Sequence, residues 1–222
     1  MPLHSVTPLS EHALLGLWQL TDLATDLLRQ VPRPELYSQL QPVTRDENRG
    51  LQWLAGRALA HALLQQVTPG AQAVLRNDAN GRPFFEQLPH YAVSLSHSGR
   101  WLAGIVATQG RVGTDIELIR PKAQQLATRF LSKAELANTG DDVAKHSLYW
   151  SAKETLYKLH SRRGLVFKEQ IQLNPFELRE AGVLTGHLLL ENSRSQHQIY
   201  YQRLTPEYVL THCVEAVLPP SL

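Results

Sequence analysis

The 222-residue chain has one cysteine, Cys213, so no disulfide forms within it and a disulfide-stapled secreted scaffold is excluded. Cys213 lies in an apolar, strand-like stretch with no helix start or basic cluster beside it. It reads as a small buried hydrophobe rather than a nucleophile. No apolar run reaches the roughly 18 residues that a membrane helix needs, and no basic segment precedes the apolar residues near the N-terminus. Neither a membrane span nor a secretion signal is expected, and the expected location is a reducing one, the cytoplasm. An excess of one charge is also missing: 22 Lys+Arg stand against 20 Asp+Glu, 9 against 8 up to Arg111 and 13 against 12 beyond it. A nucleic-acid binder would carry a basic face or arm in that count, so none is expected. The ten histidines contain no H-x-x-H or H-E-x-x-H pair, which removes the usual zinc hydrolase signature.

What is present is enough apolar material, 43% of the residues, for one large domain or two small ones. A short apolar run at 14–20 suits a strand, and 22–30 is amphipathic. Pro32, Pro34 and Pro42 break the connection that follows. Apolar residues recur at helical spacing over 46–66, with Arg49 and Arg57 two turns apart. Asn80-Gly81 is a tight-turn signal. The stretches 91–95 and 101–107 read as paired strands joined at Ser98-Gly99, and 112–119 reads as another strand. A helical pattern runs from Pro121 to Phe130, Ser132 and Glu135 have capping-box spacing, and 143–159 is strongly amphipathic. Strands return at 188–191, 198–203 and 208–216, the first two separated by a polar turn at 192–196. Each half thus reads strand, helices, strands. The expectation is an α+β fold of two similar subdomains, 1–110 and 111–222, related by a pseudo-twofold, with a small-molecule site in the cleft between them.

Four segments carry chemistry. In Gly113-Thr-Asp115-Ile-Glu117 the strand period of two sends both carboxylates to one face, their Cα atoms roughly 6.5–7 Å apart. That spacing suits one cation or, more plainly, a solvated strand face. In Trp150-Ser-Ala-Lys153-Glu154-Thr-Leu-Tyr-Lys158 the pair Glu154 and Lys158 is one helical turn apart, which by itself is an ordinary surface ion pair. Taken together, three carboxylates with a lysine one turn on make a hard-oxygen site for a divalent cation beside a phosphate-binding charge, and Mg²⁺ suits it better than zinc. Ser94-Leu-Ser96-His97-Ser98-Gly99 is a hydroxyl-rich strand end that reads as an anion site or as plain turn chemistry. Asn80-Gly-Arg82-Pro83 presents an arginine at a turn.

With these segments in this order, together with Trp53-Leu-Ala-Gly56-Arg57-Ala-Leu and Phe130-Leu-Ser132, the sequence resembles the bacterial 4'-phosphopantetheinyl transferases of the Sfp type, in the holo-carrier-protein synthase superfamily. The resemblance spans most of the chain. It implies transfer of the 4'-phosphopantetheine arm of coenzyme A to a serine of an apo acyl or peptidyl carrier protein, giving holo-carrier and 3',5'-ADP, by a monomer that needs Mg²⁺. It implies that Asp115, Glu117 and Glu154 hold the metal in the C-terminal subdomain. It further implies Glu154, Lys158 and Asp115 as catalytic residues, with either Glu154 or a metal-bound water as the base. On the coenzyme A side it implies Ser96 and His97 at the 3'-phosphate, Arg82 near the adenine, and Lys153 and Lys158 at the phosphates. The chain departs from the best-known members in having no lysine before Lys122, so Arg45, Arg49 or Arg57 has to take over phosphate binding in the N-terminal subdomain. Arg120, Lys122, Arg129 and Lys133 among Leu126, Phe130 and Leu131 offer a basic and apolar surface to an acidic carrier helix. Two other readings use the same residues: a Mg²⁺-dependent nucleotide pyrophosphate hydrolase, and a non-catalytic module that binds coenzyme A or the carrier.

Overall fold

A computed structural model of the chain describes residues 3–160 and 164–215. The fold is α+β and divides into two compact units. The first runs to Val112 and takes up the chain again at Val214; the second runs from Gly113 to Cys213. Among the described residues no helix is long and apolar enough to cross a membrane.

The first unit contains strands β1 (Leu3–Ser10) and β2 (Ala13–Gln19) and helices α1 (Ala24–Arg29), α2 (Pro34–Leu40) and α3 (Glu47–Val67). Strands β3 (Leu75–Asn77), β4 (Pro83–Phe85), β5 (Ala92–Ser98) and β6 (Trp101–Ala107) follow. Its main sheet has the antiparallel order β1-β2-β6-β5, and β3 and β4 form a separate hairpin. Helix α3 starts at Asp46, whose carboxylate accepts from the Asn48 N–H at 3.0 Å, and buries Leu54, Leu59 and Leu63. It lies directly on the sheet where Gly16 of β2 pairs with Gly104 of β6. A Cβ on either would come within 2.7 or 3.0 Å of Leu59 methyls, so the two glycines make the groove that the helix fills. Behind α3 a buried relay ties three elements together. The Tyr37 hydroxyl accepts the Leu75 N–H at 2.7 Å and shares a hydrogen bond with His61 Nε2, also at 2.7 Å.

The second unit starts within β7 (Arg111–Leu118) and continues through α4 (Pro121–Gln125), α5 (Ala127–Phe130), α6 (Lys133–Thr139), α7 (Val143–His160) and α8 (Phe167–Gln170). Strands β8 (Ile171–Leu173), β9 (Ala181–Leu190), β10 (Ser193–Thr205) and β11 (Tyr208–Glu215) complete it. They form a five-stranded sheet of order β7-β11-β10-β9-β8. Leu148, Ala152, Leu156 and Leu159 of α7 are buried with Leu184, Leu188, Ile199 and Cys213 of the sheet, so the single cysteine sits in a core. The capping box at Ser132 and Glu135 forms on both sides and starts α6.

Several local expectations need correction. Pro34 does not break the chain but starts α2, because proline at the first helical position loses only an N–H that has no helical partner. Strand β1 is missing from the sequence reading because it is a half-exposed edge with no apolar run. The pattern from Pro121 to Phe130 is two short helices that part at Leu126. The polar segment 192–196 is mostly strand. The β9–β10 turn occupies 191–192, and Ser193 to Gln196 pair with Leu190 to His187 as an exposed end of the hairpin that has no core to betray it in the sequence. Residue 216, the last of the final expected strand, lies outside the described residues.

Candidate active site

The second unit brings the acidic segments together by matching two repeats. A helix advances about 6 Å in four residues and a strand about 6.6–6.8 Å in two. The stretch 150–158 of α7 therefore runs alongside 117–113 of β7, in the opposite direction. The contacts follow that ladder. The Trp150 indole Nε1 donates to Glu117 Oε1 at 2.9 Å. The Lys158 ammonium donates to Asp115 Oδ1 at 2.7 Å and to the Thr114 carbonyl at 3.1 Å. At the third rung there is no side chain: a Cβ on Gly113 would lie 2.1 Å from the Thr155 carbonyl oxygen. Glycine at 113 is therefore what lets α7 approach β7 closely enough for the other rungs to touch.

A buried hydroxyl seam fixes the same interface from the side. Thr211 of β11 lies against Ser151 and Thr155 of α7, with Thr155 Oγ1 and Thr211 Oγ1 2.7 Å apart, and Thr114 Oγ1 donates to the Thr211 carbonyl at 2.9 Å. All four residues are buried. The sequence reading passed over Gly113 and these hydroxyls. A glycine within an apolar strand two residues before an aspartate was the available signal, whereas Thr114, Ser151, Thr155 and Thr211 at separate points of the chain gave none.

The electrostatics follow from this packing. Asp115 is buried, and Glu117, Glu154 and Lys158 are half-buried. The Glu154 carboxyl is pushed up to about 7, first by burial and then by the negative charges of Asp115 and Glu117, with Lys158 acting against the rise. Glu154 thus shares one field with the other two acids, and the three supply hard oxygen donors that a divalent cation would relieve of their repulsion. Among the described residues no three such side chains converge on one point. Lys158 and Trp150 engage Asp115 and Glu117, so the donor set fits Mg²⁺ in chemistry while its carboxylates are directed at protein donors.

Lys153 differs from its expected place at a phosphate. It is fully buried, and its ammonium donates to Glu135 Oε2 at 2.8 Å and to the carbonyls of Phe130, Phe167 and Ile171 at 2.8, 3.1 and 2.6 Å. Every donor is taken inside the unit, and no face is left for a ligand.

Beside Glu117 a pocket of about 140 Å³ is walled by Leu126, Phe130 and Trp150 and rimmed by Arg120 and Lys122. Of the surface expected for a carrier helix, Leu131 falls elsewhere, being wholly buried in the core. The rings of Phe130 and Trp150 meet edge to face with centroids 5.0 Å apart.

The first unit holds the residues expected on the nucleotide side. Arg45 and Arg49 are exposed at the start of α3. Arg57 is buried: its guanidinium lies 3.7 Å from the Trp53 ring centroid, donates to the Trp53 carbonyl at 3.4 Å and bonds to Asn77 Oδ1. It therefore stands apart from its expected place at a phosphate, stacked on Trp53 and held to its own helix and to β3. Asn77 passes the connection on, donating to the Gly81 carbonyl at 2.7 Å. The Asp78 carboxylate accepts from the Asn80 and Arg82 N–H groups at 2.7 and 2.9 Å, and Gly81 has a φ of +84°. Arg82 thereby leaves a fixed turn, half-buried, and lines a groove of about 420 Å³. Its guanidinium is held below the usual arginine range by burial and by nearby Arg111, with Asp78 opposing. Half-buried Ser96 and exposed His97 are neighbours near the end of β5.

Comparison with known proteins agrees with this arrangement. Residues 111–213, which carry the whole acidic ladder, match the family model of the 4'-phosphopantetheinyl transferase superfamily. The chain is 34% identical over 167 residues to 4'-phosphopantetheinyl transferase psf-1 of Bacillus pumilus, covering 72% of this chain and 69% of that protein. It is 30% identical over 138 residues to 4'-phosphopantetheinyl transferase Sfp of Bacillus subtilis (strain 168), covering 60% and 59%, and 35% identical over 116 residues to 4'-phosphopantetheinyl transferase AcpT of Escherichia coli (strain K12), covering 48% and 55%. The chain thus spans somewhat more than half the length of the last two. The two acids of β7 and the tryptophan, glutamate and lysine at every fourth position of α7 lie within the region matched: the chain belongs to the 4'-phosphopantetheinyl transferase superfamily and is an enzyme of that transferase class.

Proposed function

We propose that the protein transfers 4'-phosphopantetheine from coenzyme A to a serine of an apo carrier protein, with Mg²⁺ held by Asp115, Glu117 and Glu154. The observation that carries this reading is the set of contacts between β7 and α7, in which Trp150 engages Glu117 and Lys158 engages Asp115, with Glu154 between them on the helix and in the field of both acids. Mg²⁺ held by these three carboxylates would supply charge neutralisation at the pyrophosphate. Glu154 takes the proton of the attacking serine hydroxyl as the serine oxygen bonds to the phosphopantetheine phosphorus. The bond from that phosphorus to the bridging oxygen breaks, and 3',5'-ADP leaves with the electron pair. Lys158 is in place to stabilise the departing phosphate once it gives up Asp115. Trp150 keeps the Glu117 carboxylate oriented through its indole N–H.

On the nucleotide side, Arg49 and Arg82 supply the positive charge that lysines supply in other members, Ser96 and His97 supply hydrogen bonds, and Arg57 holds the turn that presents Arg82. The pocket beside Glu117, apolar inside and basic at the rim, suits the amphipathic acidic helix of a carrier and lies next to the reacting centre. We read the enzyme as a cytoplasmic monomer.

Intact-protein mass spectrometry of a panel of apo carriers, incubated with the protein, coenzyme A and Mg²⁺ beside an EDTA control, tests this reading. A metal-dependent gain of one phosphopantetheine on a carrier is expected. Cleavage of coenzyme A to 3',5'-ADP with no carrier modified would make the protein a hydrolase, and intact coenzyme A with unmodified carriers would contradict the transfer.

A further inference from the structure

Lys153 and Glu135 form a buried pair that the transfer chemistry does not use. The two side chains are 0% and 3% exposed. Glu135 belongs to α6, where Oε2 also accepts the Ser132 N–H at 2.8 Å and Oε1 accepts the Leu173 N–H of β8 at 2.9 Å. Lys153 reaches the last residue of α5 through the Phe130 carbonyl, the first of α8 through Phe167 and the first of β8 through Ile171. One ammonium and one carboxylate thus join α5, α6, α8 and β8 to α7, one residue before Glu154. The connection also reaches the acidic ladder: Phe130, held by its carbonyl, packs on Trp150, and Trp150 donates to Glu117.

We propose that Lys153 and Glu135 are positioning residues that set the segment 121–139, and with it Phe130 and the pocket beside Glu117, against the catalytic helix. Lys153 is accordingly not a coenzyme A ligand. A buried charge pair suits this task better than apolar packing because it is directional: the acceptors fix where the end of α5 lies, whereas methyl groups would permit sliding. The kinetic consequence rests on the transferase reading above. Loss of the pair displaces the surface that receives the carrier and leaves the nucleotide contacts in the first unit untouched.

The test uses the full chain with Lys153→Met and with the double variant Lys153→Met/Glu135→Gln, which removes the lone buried carboxylate should it unfold the protein. Glu135→Gln alone, which retains one acceptor for Leu173, should give the same pattern more weakly. Carrier and coenzyme A are varied separately, and amide hydrogen exchange is followed in parallel. The expected result is a carrier KM raised about tenfold, a coenzyme A KM changed by less than about twofold, and faster exchange across 121–139. A raised coenzyme A KM with an unchanged carrier KM would restore Lys153 as a phosphate contact. Unchanged values of both beside a lowered melting temperature would leave the pair a stabilising element only. If the wild-type protein transfers nothing, the transferase reading fails, and exchange still decides the inference: unchanged protection across 121–139 overturns it.

Discussion

Two lysines five residues apart on α7 make ion pairs of nearly equal length, Lys153 with Glu135 at 2.8 Å and Lys158 with Asp115 at 2.7 Å, yet they do different work. The Lys153 side chain is 0% exposed and its ammonium meets four oxygen acceptors, three of them carbonyls that cannot be exchanged for substrate. The Lys158 side chain is 25% exposed and shares its field with three carboxylates. Separation alone says nothing about function. The number of backbone carbonyls that hold the ammonium, three for Lys153 against one for Lys158, and the access of solvent to it separate a lysine fixed in the core from one proposed for the chemistry.

Substitutions can break this comparison from either side. Lys158→Met should lower kcat by about a hundredfold or more, with near-native circular dichroism, because the charge facing the departing phosphate is lost; steady-state transfer rates check it. Lys153→Met should instead cost about 3–5 kcal/mol of stability, as removal of one partner of a buried pair does, and urea unfolding measures it. Equal stability losses at the two positions would erase the distinction.

A buried group with no opposite charge beside it sharpens the contrast through pH. His61 is held down to about 4, first by desolvation and then by Arg57, with its Nε2 2.7 Å from the Tyr37 hydroxyl. The folded state therefore favours neutral His61 over the unfolded state, where the value is near 6.5. The stability contribution is complete above about pH 6.5 and is lost as pH falls toward 4, by about 3 kcal/mol in all. Denaturant midpoints should fall less steeply between pH 7.5 and 4.5 in His61→Gln than in the wild type, with a remaining slope from His212, which burial also holds down to about 4. The smallest effect belongs to the pocket rim, where Arg120→Glu with Lys122→Glu should raise the carrier KM about tenfold and leave that of coenzyme A unchanged. An unchanged carrier KM would remove the rim from the account.

The acids and the helix that faces them were legible in the sequence because both carry periodic signals. Asp115 and Glu117 share the strand period, and Trp150, Glu154 and Lys158 share the helical one. The roles of Lys153 and Arg57 were not legible, since each is decided by partners distant in sequence: Glu135 and the carbonyl of Ile171 for one, Asn77 for the other. A motif gives the residue type at a position and not the direction in which its side chain leaves. The same limit hid the seam of Ser151, Thr155 and Thr211, whose hydroxyls meet only after β11 pairs beside β7. In β1 and the polar end of the β9–β10 hairpin, exposure had removed the apolar alternation that marks a strand.

In the proposed reaction Asp115 and Glu154 belong to one reacting centre. Intact-mass measurement of carrier modification by Asp115→Ala and Glu154→Gln, in protein whose circular dichroism matches the wild type, tests it most directly. The account predicts no detectable transfer by either variant at any Mg²⁺ concentration, and transfer at the wild-type rate by either one would contradict it.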